Sequence, residues 1–364
     1  MAATSKQPKS DEIEISVFGP GYGEAILVHV GAGEWVVVDS CWDARARRSP
    51  VLHYLSTIGV DPNAVVAVVV SHWHSDHVRG ISDIALACSN ADFWISAALN
   101  SKELLLAARA VTMEGASRNN PYSEFVRLMD IISIRNDTVG RKVAKLATEG
   151  MTVLRRPRQD RMGVRLEALS PSQLSVDEAH RRIAALLPGA SSISRTPKNV
   201  GPNHAAIALW VELGDDAILL GSDLEESGIR GWTAVLAHCS EFASVARFIK
   251  VPHHGSTTSH HDGVWQTLLA SNPDAVVTPF RPSGLPRNSD IQRLLGSTGS
   301  LHISADVKVP KQPRSDSSLE RATRGLALRV WEPEGITGQI RARWHPGDAD
   351  VRFDYFGPAH RVAS

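Results

Sequence analysis

Residues 72–77 read His-Trp-His-Ser-Asp-His, so three imidazoles and a carboxylate stand directly behind the apolar run at 64–70. A short continuous apolar run is typical of a strand covered on both faces, which puts this cluster where a buried strand ends. In an extended segment His72 and His74 are two apart and point the same way. The turn that follows can bring Asp76 and His77 to a second point nearby. Imidazole suits zinc or manganese, and a carboxylate adds a hard oxygen donor. Two donor clusters so close together suit a two-metal centre better than one tetrahedral ion. A chance His-rich surface loop is the weaker explanation, because composition alone rarely sets such a pattern behind a buried run.

The elements that must position these groups alternate along the chain. From Glu12 the residues are strand-like, with EISVF, a glycine-rich GPGYG, EAILVHV, a turn at Gly31–Gly33 and EWVVVDS. Residues 50–58 have helical spacing, with Pro50 suited to a first turn. AVVAVVVSH and FWISAAL read as strands, and KELLLAARAVTM and PYSEFVRLMDIISI as helices. Strands return at 151–170 among arginines (Arg155, Arg156, Arg158, Arg161, Arg165), and 172–188 reads as a capped helix. HAAIALWVEL and DAILLGSDLEE form two strands, followed by helices near 230–246 and 263–271 and by the strands RFIKV and DAVVTPF. Residues 309–323 read as an exposed loop. The class is α/β, with residues 1–11 as a disordered tail, one domain over 12–364, a helical insertion at about 100–200 and C-terminal strands at about 325–357.

Composition narrows the classes. The 364 residues are 43% hydrophobic, enough for a substantial core, and 39 basic residues balance 39 acidic ones. That balance gives no global attraction to nucleic acid or an anionic membrane, though local patches remain open. Three cysteines without CxxC spacing argue against a disulfide scaffold and for a reducing cytoplasm. The polar start MAATSKQPKSDEIEI lacks an apolar leader, and no run approaches the roughly 18 apolar residues of a membrane span. The expectation is a soluble, cytoplasmic protein with no membrane partner.

HWHSDH matches the HxHxDH motif of the metallo-β-lactamase fold superfamily, and the resemblance extends further. FGPGYGEAILVHVGAGEWVVVDS resembles the opening hairpin of the branch typified by the hydrolase domain of the DNA-uptake protein ComEC, with its strand-end aspartate at Asp39. NHAAIALWVELGDDAILLGSDLEE resembles the later strand pair ending in Gly-Asp, here Gly221-Ser222-Asp223. KVPHHGSTTSHH is similar to the branch's KVPHHGS signature. These landmarks fall in family order over about residues 12–305.

The resemblance implies a metallo-β-lactamase-type αββα sandwich with metals in a cleft at one edge of two sheets. It implies that His72 and His74 hold one ion, Asp76 and His77 the other, and that Asp223 bridges both, since a carboxylate has two oxygens to share. His254 is the expected further ligand, which leaves His253 facing substrate as a phosphate-binding or proton-donating group. His204 stands where the wider superfamily has a third histidine for the first ion and the ComEC-like branch often has asparagine. Asp39 is expected to support the metal-binding loop by hydrogen bonding, and Cys41 to be a buried thiol. His29, His53, His180, His238, His302, His345 and His360 lack clustered partners and read as structural or surface residues.

Two divalent ions, zinc first and manganese as the alternative, would create a hydroxide nucleophile, with Asp76 orienting it. That chemistry suits several esters and amides. The branch resemblance, the GSTTS hydroxyls and the arginines near 45–48 and 155–165 favour a phosphodiester, DNA in particular. No aromatic stacking motif accompanies them. Hydrolysis of a cyclic nucleotide or thioester, or a partner-binding subunit with a vestigial site, are the alternatives. Leu285 precedes Pro286 where relatives often carry His-Pro, and the 100–200 insertion is a candidate specificity element or contact for a second subunit or protein partner.

Overall fold

The computed structural model describes residues 6–19, 22–100, 104–105, 108–109, 121–157, 162–185, 203–238, 242, 244–307 and 337–363. Its strands begin with β1 (Ile13–Gly19), β2 (Ala25–His29), β3 (Trp35–Val38), β4 (Val65–Val70), β5 (Asp92–Ser96) and β6 (Ala144–Ala147). Next come β7 (Met151–Arg156), β8 (Val164–Ala168), β9 (Leu209–Leu213), β10 (Asp216–Leu220), β11 (Ala246–Lys250), β12 (Leu269–Val277) and β13 (Ser300–Ile303). The chain closes with β14 (Gly338–Trp344), β15 (Arg352–Phe356) and β16 (His360–Arg361). They form two eight-stranded sheets, ordered β15-β14-β1-β2-β3-β4-β5-β6 and β16-β13-β12-β11-β10-β9-β8-β7.

Period-two alternation divides the apolar side chains into layers. Ile13, Ile15, Val17, Ile26, Val28, Val36 and Val69 meet Leu166, Leu209, Val211, Ile218, Phe248 and Val276 between the sheets. The opposite phase of the first sheet, Leu27, Trp35, Val37, Val68, Val70 and Phe93, packs under helices α1 (Pro50–Thr57), α2 (Ser75–Val78), α3 (Ile81–Ala87) and α4 (Pro121–Val139). Helix α5 (Gln173–Ala185) follows β8, and its Ile183 joins this same layer. The outer face of the second sheet, with Trp210, Leu219, Ile249 and Val277, is covered by α6 (Trp232–His238), α7 (Asp262–Thr267) and α8 (Asn288–Leu295). The result is the expected αββα sandwich. β4 is almost wholly buried on both faces, in keeping with its continuous apolar run.

β3, β4, β5 and β6 run parallel, as do β10, β11, β12 and β13. Loops leaving the carboxyl ends of β4, β10 and β11 carry His72, Asp223 and His254, so two parallel half-sheets deliver their strand ends to one edge. Ligands of open α/β sheets bind at such ends.

Two expectations need correction. Residues 6–11 are not a disordered tail: Gln7 Nε2 donates to Gly59 O at 2.8 Å, and Ser10 O accepts from Ala32 N at 2.7 Å. The 100–200 segment is only partly helical where described. α4 and α5 are helices, but β6, not expected as a strand, extends the first sheet beside β5, while β7 and β8, the strands expected at 151–170, extend the second beside β9. Pairing with the preformed edge of β5 settles the short strand β6 more than its own alternation does. The expected strand at about 325–333 and the loops at 189–202 and 309–323 lie outside the described residues.

His302 joins the sheets at the edge away from β6. Its ring stacks on Phe353 at 3.8 Å, and its nitrogens bond Ser300 Oγ at 2.6 Å and Tyr355 Oη at 2.7 Å. Burial, with the charge of Arg361, pushes its pKa down to about 4. The neutral ring therefore stabilises the fold fully above the unfolded value near 6.5, and this contribution falls away as pH drops toward 4. Urea titrations from pH 7 to pH 4 should lose up to about 3 kcal/mol from this source. His302→Phe, which keeps the stack and cannot protonate, should remove that part of the slope.

Candidate metal centre

The loop after β4 stays extended through His72 and His74 and then turns into α2. His74 occupies the N-cap position, with φ −112° and ψ 148°, and Asp76 falls in the first turn of the helix. The turn brings Asp76 and His77 beside His72, while His74 is not among the groups of converging donor atoms. The His72 and His74 rings lie 4.4 Å apart, and His72 and His77 lie 4.3 Å apart. Asp223 enters from β10 with Oδ2 3.3 Å from His77 Nε2, 3.5 Å from His254 Nε2 and 3.9 Å from His72 Nε2. Asp76 Oδ2 stands 3.4 Å from His254 Nε2. Donor atoms of Asp76, His77, Asp223 and His254 all lie within 4.8 Å of one another, and all four side chains are buried.

The histidine nitrogens facing away from this cluster are occupied. His77 Nδ1 bonds Asp39 Oδ2 at 2.8 Å, and Asp39 also accepts from Ser71 N at 2.7 Å and Ser71 Oγ at 2.6 Å. His254 Nδ1 donates to Thr278 O at 2.9 Å, and His72 Nδ1 lies 2.9 Å from Ser71 Oγ. The inward atoms are not: Nε2 of His72, His77 and His254 and Oδ1 of Asp223 are buried without a hydrogen-bond partner. Buried polar atoms are rarely left so. A set of imidazole nitrogens and carboxylates aimed at one volume, each ring fixed from behind, fits divalent metal ions.

Electrostatics agree. Burial alone would raise the Asp223 carboxyl, but the charges of His254 and His77 outweigh it and hold the group well below the usual range. Burial likewise opposes ionisation of Asp76, and the neighbouring His77 and His254 override it downward. His254, against its own burial, is pushed up to about 10 by Asp223 and Asp76. His72 is driven well below its ordinary value by burial and by neighbouring His77 and His74. The carboxylates stay anionic and call for positive charge beside them.

The backbone is strained here. Asp39, Ser222, His253 and His254 adopt φ of 60°, 46°, 45° and 54°, the left-handed region that non-glycine residues avoid. Two successive left-handed residues place His253 and His254 on different sides of the turn. His254 is buried in the donor cluster. His253 faces outward, with Nδ1 3.0 Å from Glu225 Oε1 and Nε2 3.2 Å from Asn203 Nδ2. Its pKa is raised, because the Glu225 hydrogen bond and the Asp223 charge exceed the effect of burial.

His204 is buried but not among the convergent donors; Nε2 lies 3.7 Å from Glu178 Oε2 on α5. The GSTTS hydroxyls are largely engaged within their own loop, with Ser256 Oγ 3.0 Å from Thr258 Oγ1 and Ser259 Oγ donating to Ser256 O at 2.8 Å. Of the arginine cluster, Arg156 pairs with Glu34 and Arg165 with Glu167 and Glu212, while Arg158 and Arg161 lie outside the described residues. Cys41 is a buried thiol, as expected.

A family model described as the metallo-beta-lactamase superfamily matches residues 18–278. The chain belongs to the metallo-beta-lactamase superfamily. No curated protein matches it in sequence. Among solved structures, the metallo-beta-lactamase fold protein YhfI from Bacillus subtilis is similar at 11% identity, over 80% of this chain and 96% of that one, with a TM-score of 0.40. A metallo-beta-lactamase motif mutant from Cronobacter sakazakii is similar at 16% identity, over 65% of this chain and 75% of that one, with a TM-score of 0.35. Membership makes the protein part of a hydrolase superfamily whose members typically bind metal ions. No described helix is long and apolar enough to cross a membrane.

Several supporting residues of this superfamily member escaped sequence reading. Glu24 and Lys250 form a fully buried ion pair at 2.7 Å behind His254, and Thr278 Oγ1 donates to the same Glu24 carboxylate. The lysine of KVPHHGS and the glutamate of GPGYGE were visible, but nothing in either stretch announced their contact. Gly23, at φ 92°, lets Glu24 N donate to Asp76 O at 3.0 Å, and a Cβ there would stand 2.4 Å from that oxygen.

Asp39→Asn tests the support for His77. Asparagine tolerates the left-handed backbone but offers only one carbonyl oxygen to the three groups Asp39 now accepts from. Metal affinity, measured by competition with a chromophoric chelator, should fall about 10- to 100-fold.

Proposed function

We propose that the protein is a metal-dependent phosphodiesterase, in its specific form a nuclease acting on DNA in the cytoplasm. The observation that carries the metal-dependent part is the set of inward-facing, buried and unpartnered nitrogens of His72, His77 and His254 around Asp223. Support for the phosphodiester comes from the sequence landmarks shared with the ComEC-type branch, the KVPHHGS turn above all. Support for the cytoplasm comes from the sparse cysteines.

Bound divalent ions, zinc or manganese, would acidify a water toward neutral pH and offset charge on the substrate oxygens. His72, His74, Asp76, His77, Asp223 and His254 would hold them, with His204 at the α5 side. Among the chain's own groups, Asp76 stays anionic and sits where it can accept a hydrogen bond from the attacking water. Asp39, Ser71 and Thr278 keep the imidazoles in one tautomer and orientation. His253, half-buried at the rim and fixed by Glu225, is the side chain placed to give a proton to a leaving oxygen.

Purified protein should hydrolyse bis-p-nitrophenyl phosphate and cut linear or plasmid DNA when zinc or manganese is supplied. The double substitution Asp76→Ala with His77→Ala should abolish both activities, a loss of at least about 10³-fold. Cleavage of the small ester with DNA left intact would exclude the nuclease form. Two bound metals with every phosphodiester intact would refute the substrate assignment.

A further inference from the structure

In an extended run successive side chains point to opposite sides, so the residue between His72 and His74 must face away from both. Trp73 does so. It is wholly buried, in the apolar layer that also holds Val78, Ile81, Phe125 and Leu128. Complete burial is uncommon for so large a side chain, and its indole N–H then needs an acceptor. α4 supplies both the cover and the acceptor. Trp73 Nε1 donates to the carbonyl of Pro121, the first residue of α4, at 2.9 Å. The indole meets Phe125, one turn further on, edge to face with ring centroids 4.7 Å apart.

α4 is itself fixed near both ends. Glu124 accepts from Ser82 N at 3.2 Å and from Ser82 Oγ at 2.7 Å, which ties its first turn to α3. Toward the other end, Arg135 Nη2 donates to Ala91 O at 2.7 Å, and Asn136 Oδ1 accepts from Val143 N at 2.7 Å. Pro121 and Phe125 are therefore a fixed socket for the indole. The His72 and His74 rings, 4.4 Å apart, stand on the other side of the same short stretch of backbone. Any rotation of the backbone that displaced the indole would turn these imidazoles as well.

We propose that Trp73 is a positioning residue of the metal centre, and that α4 sets the direction of the His72 and His74 imidazoles by holding its indole. This rests on the metal-centre reading above and extends it to the 100–200 segment, which here acts from behind the metal loop. Donors to a metal must be held to within about 0.5 Å, and a loop meets that demand only when packing locks it. A shift of α4 against α3 is transmitted to the donors through this one side chain.

Trp210 provides the comparison. It is equally buried, on the outer face of the second sheet, with Nε1 donating to Glu212 Oε1 at 3.1 Å and its ring stacked on Phe242. Zinc and cobalt(II) are titrated into the chelator-stripped full chain for wild type, Trp73→Phe, Phe125→Leu and Trp210→Phe. Affinity is read by chelator competition, ligand environment by the cobalt visible bands, and stability by thermal unfolding of the metal-free forms. Trp73→Phe and Phe125→Leu should each weaken at least one ion about tenfold or more and shift the cobalt bands. Trp210→Phe, which also loses one indole hydrogen bond, should unfold at a lower temperature with affinity and bands unchanged. Trp73→Phe and Phe125→Leu proteins that bind metal no worse than Trp210→Phe, with wild-type bands, would overturn the proposal and leave the metal centre standing. A wild type that binds no ion would overturn both.

Discussion

Asp223 is 2% exposed and lies within 4 Å of three imidazole nitrogens. A carboxylate buried this deeply must be matched by positive charge, or it neutralises or destabilises the fold. Much of the surrounding architecture follows from that constraint. Asp76 adds a second buried anion, and the imidazoles of His72, His77 and His254 turn their Nε2 atoms toward this carboxylate pair. Cations fulfil the requirement in a way that protonated histidines do only partly, since each ring has a single inward nitrogen. The ring nitrogens pointing away are already spent on Asp39, Ser71 and Thr278.

Holding such a cluster together costs backbone strain, and the fold supplies the means. Four non-glycine residues in left-handed conformation, Asp39, Ser222, His253 and His254, flank the cluster. Each follows the end of an interior strand, β3, β10 or β11, that pairs with a neighbour on both sides. Residues kept in sparsely populated conformations cost about 1–3 kcal/mol apiece and persist when their surroundings over-determine them. Gly23 meets the same demand at Asp76, where only a residue without Cβ allows the backbone contact. The buried Glu24–Lys250 pair secures the turn from beneath and ties β2 of one sheet to β11 of the other. The strained turns are therefore held by both sheets at once.

Much of this was legible in the chain before any coordinates. The apolar run at 64–70 read as a strand buried on both faces, and the His-x-His-x-Asp-His spacing behind it as a donor cluster at that strand's end. The sandwich itself was implied by the resemblance of the HWHSDH, Gly221-Ser222-Asp223 and KVPHHGS landmarks to the metallo-β-lactamase fold. What stayed hidden depends on contacts across large sequence separation. Glu178 and His204 face each other because α5 docks on the helical turn at 203–205, and no local pattern at Glu178 marks it among ordinary helix-surface acids. β6, Ala144–Ala147, is too short to carry a pattern of its own, so its state is set by the sheet edge it joins beside β5. Residues 6–11 looked disordered from polarity alone, yet backbone groups of the β2–β3 turn give them hydrogen-bond partners.

The central claim is that the buried cluster is completed by divalent cations and that the native fold relies on them. The most direct measurement compares the thermal unfolding temperature of zinc-loaded protein with that of protein stripped by chelator and kept metal-free. A ligand bound only by the folded state stabilises it by mass action. The account predicts that the loaded protein unfolds about 5 °C or more above the stripped form, and that added zinc restores the difference. Equal unfolding temperatures with and without metal would contradict it.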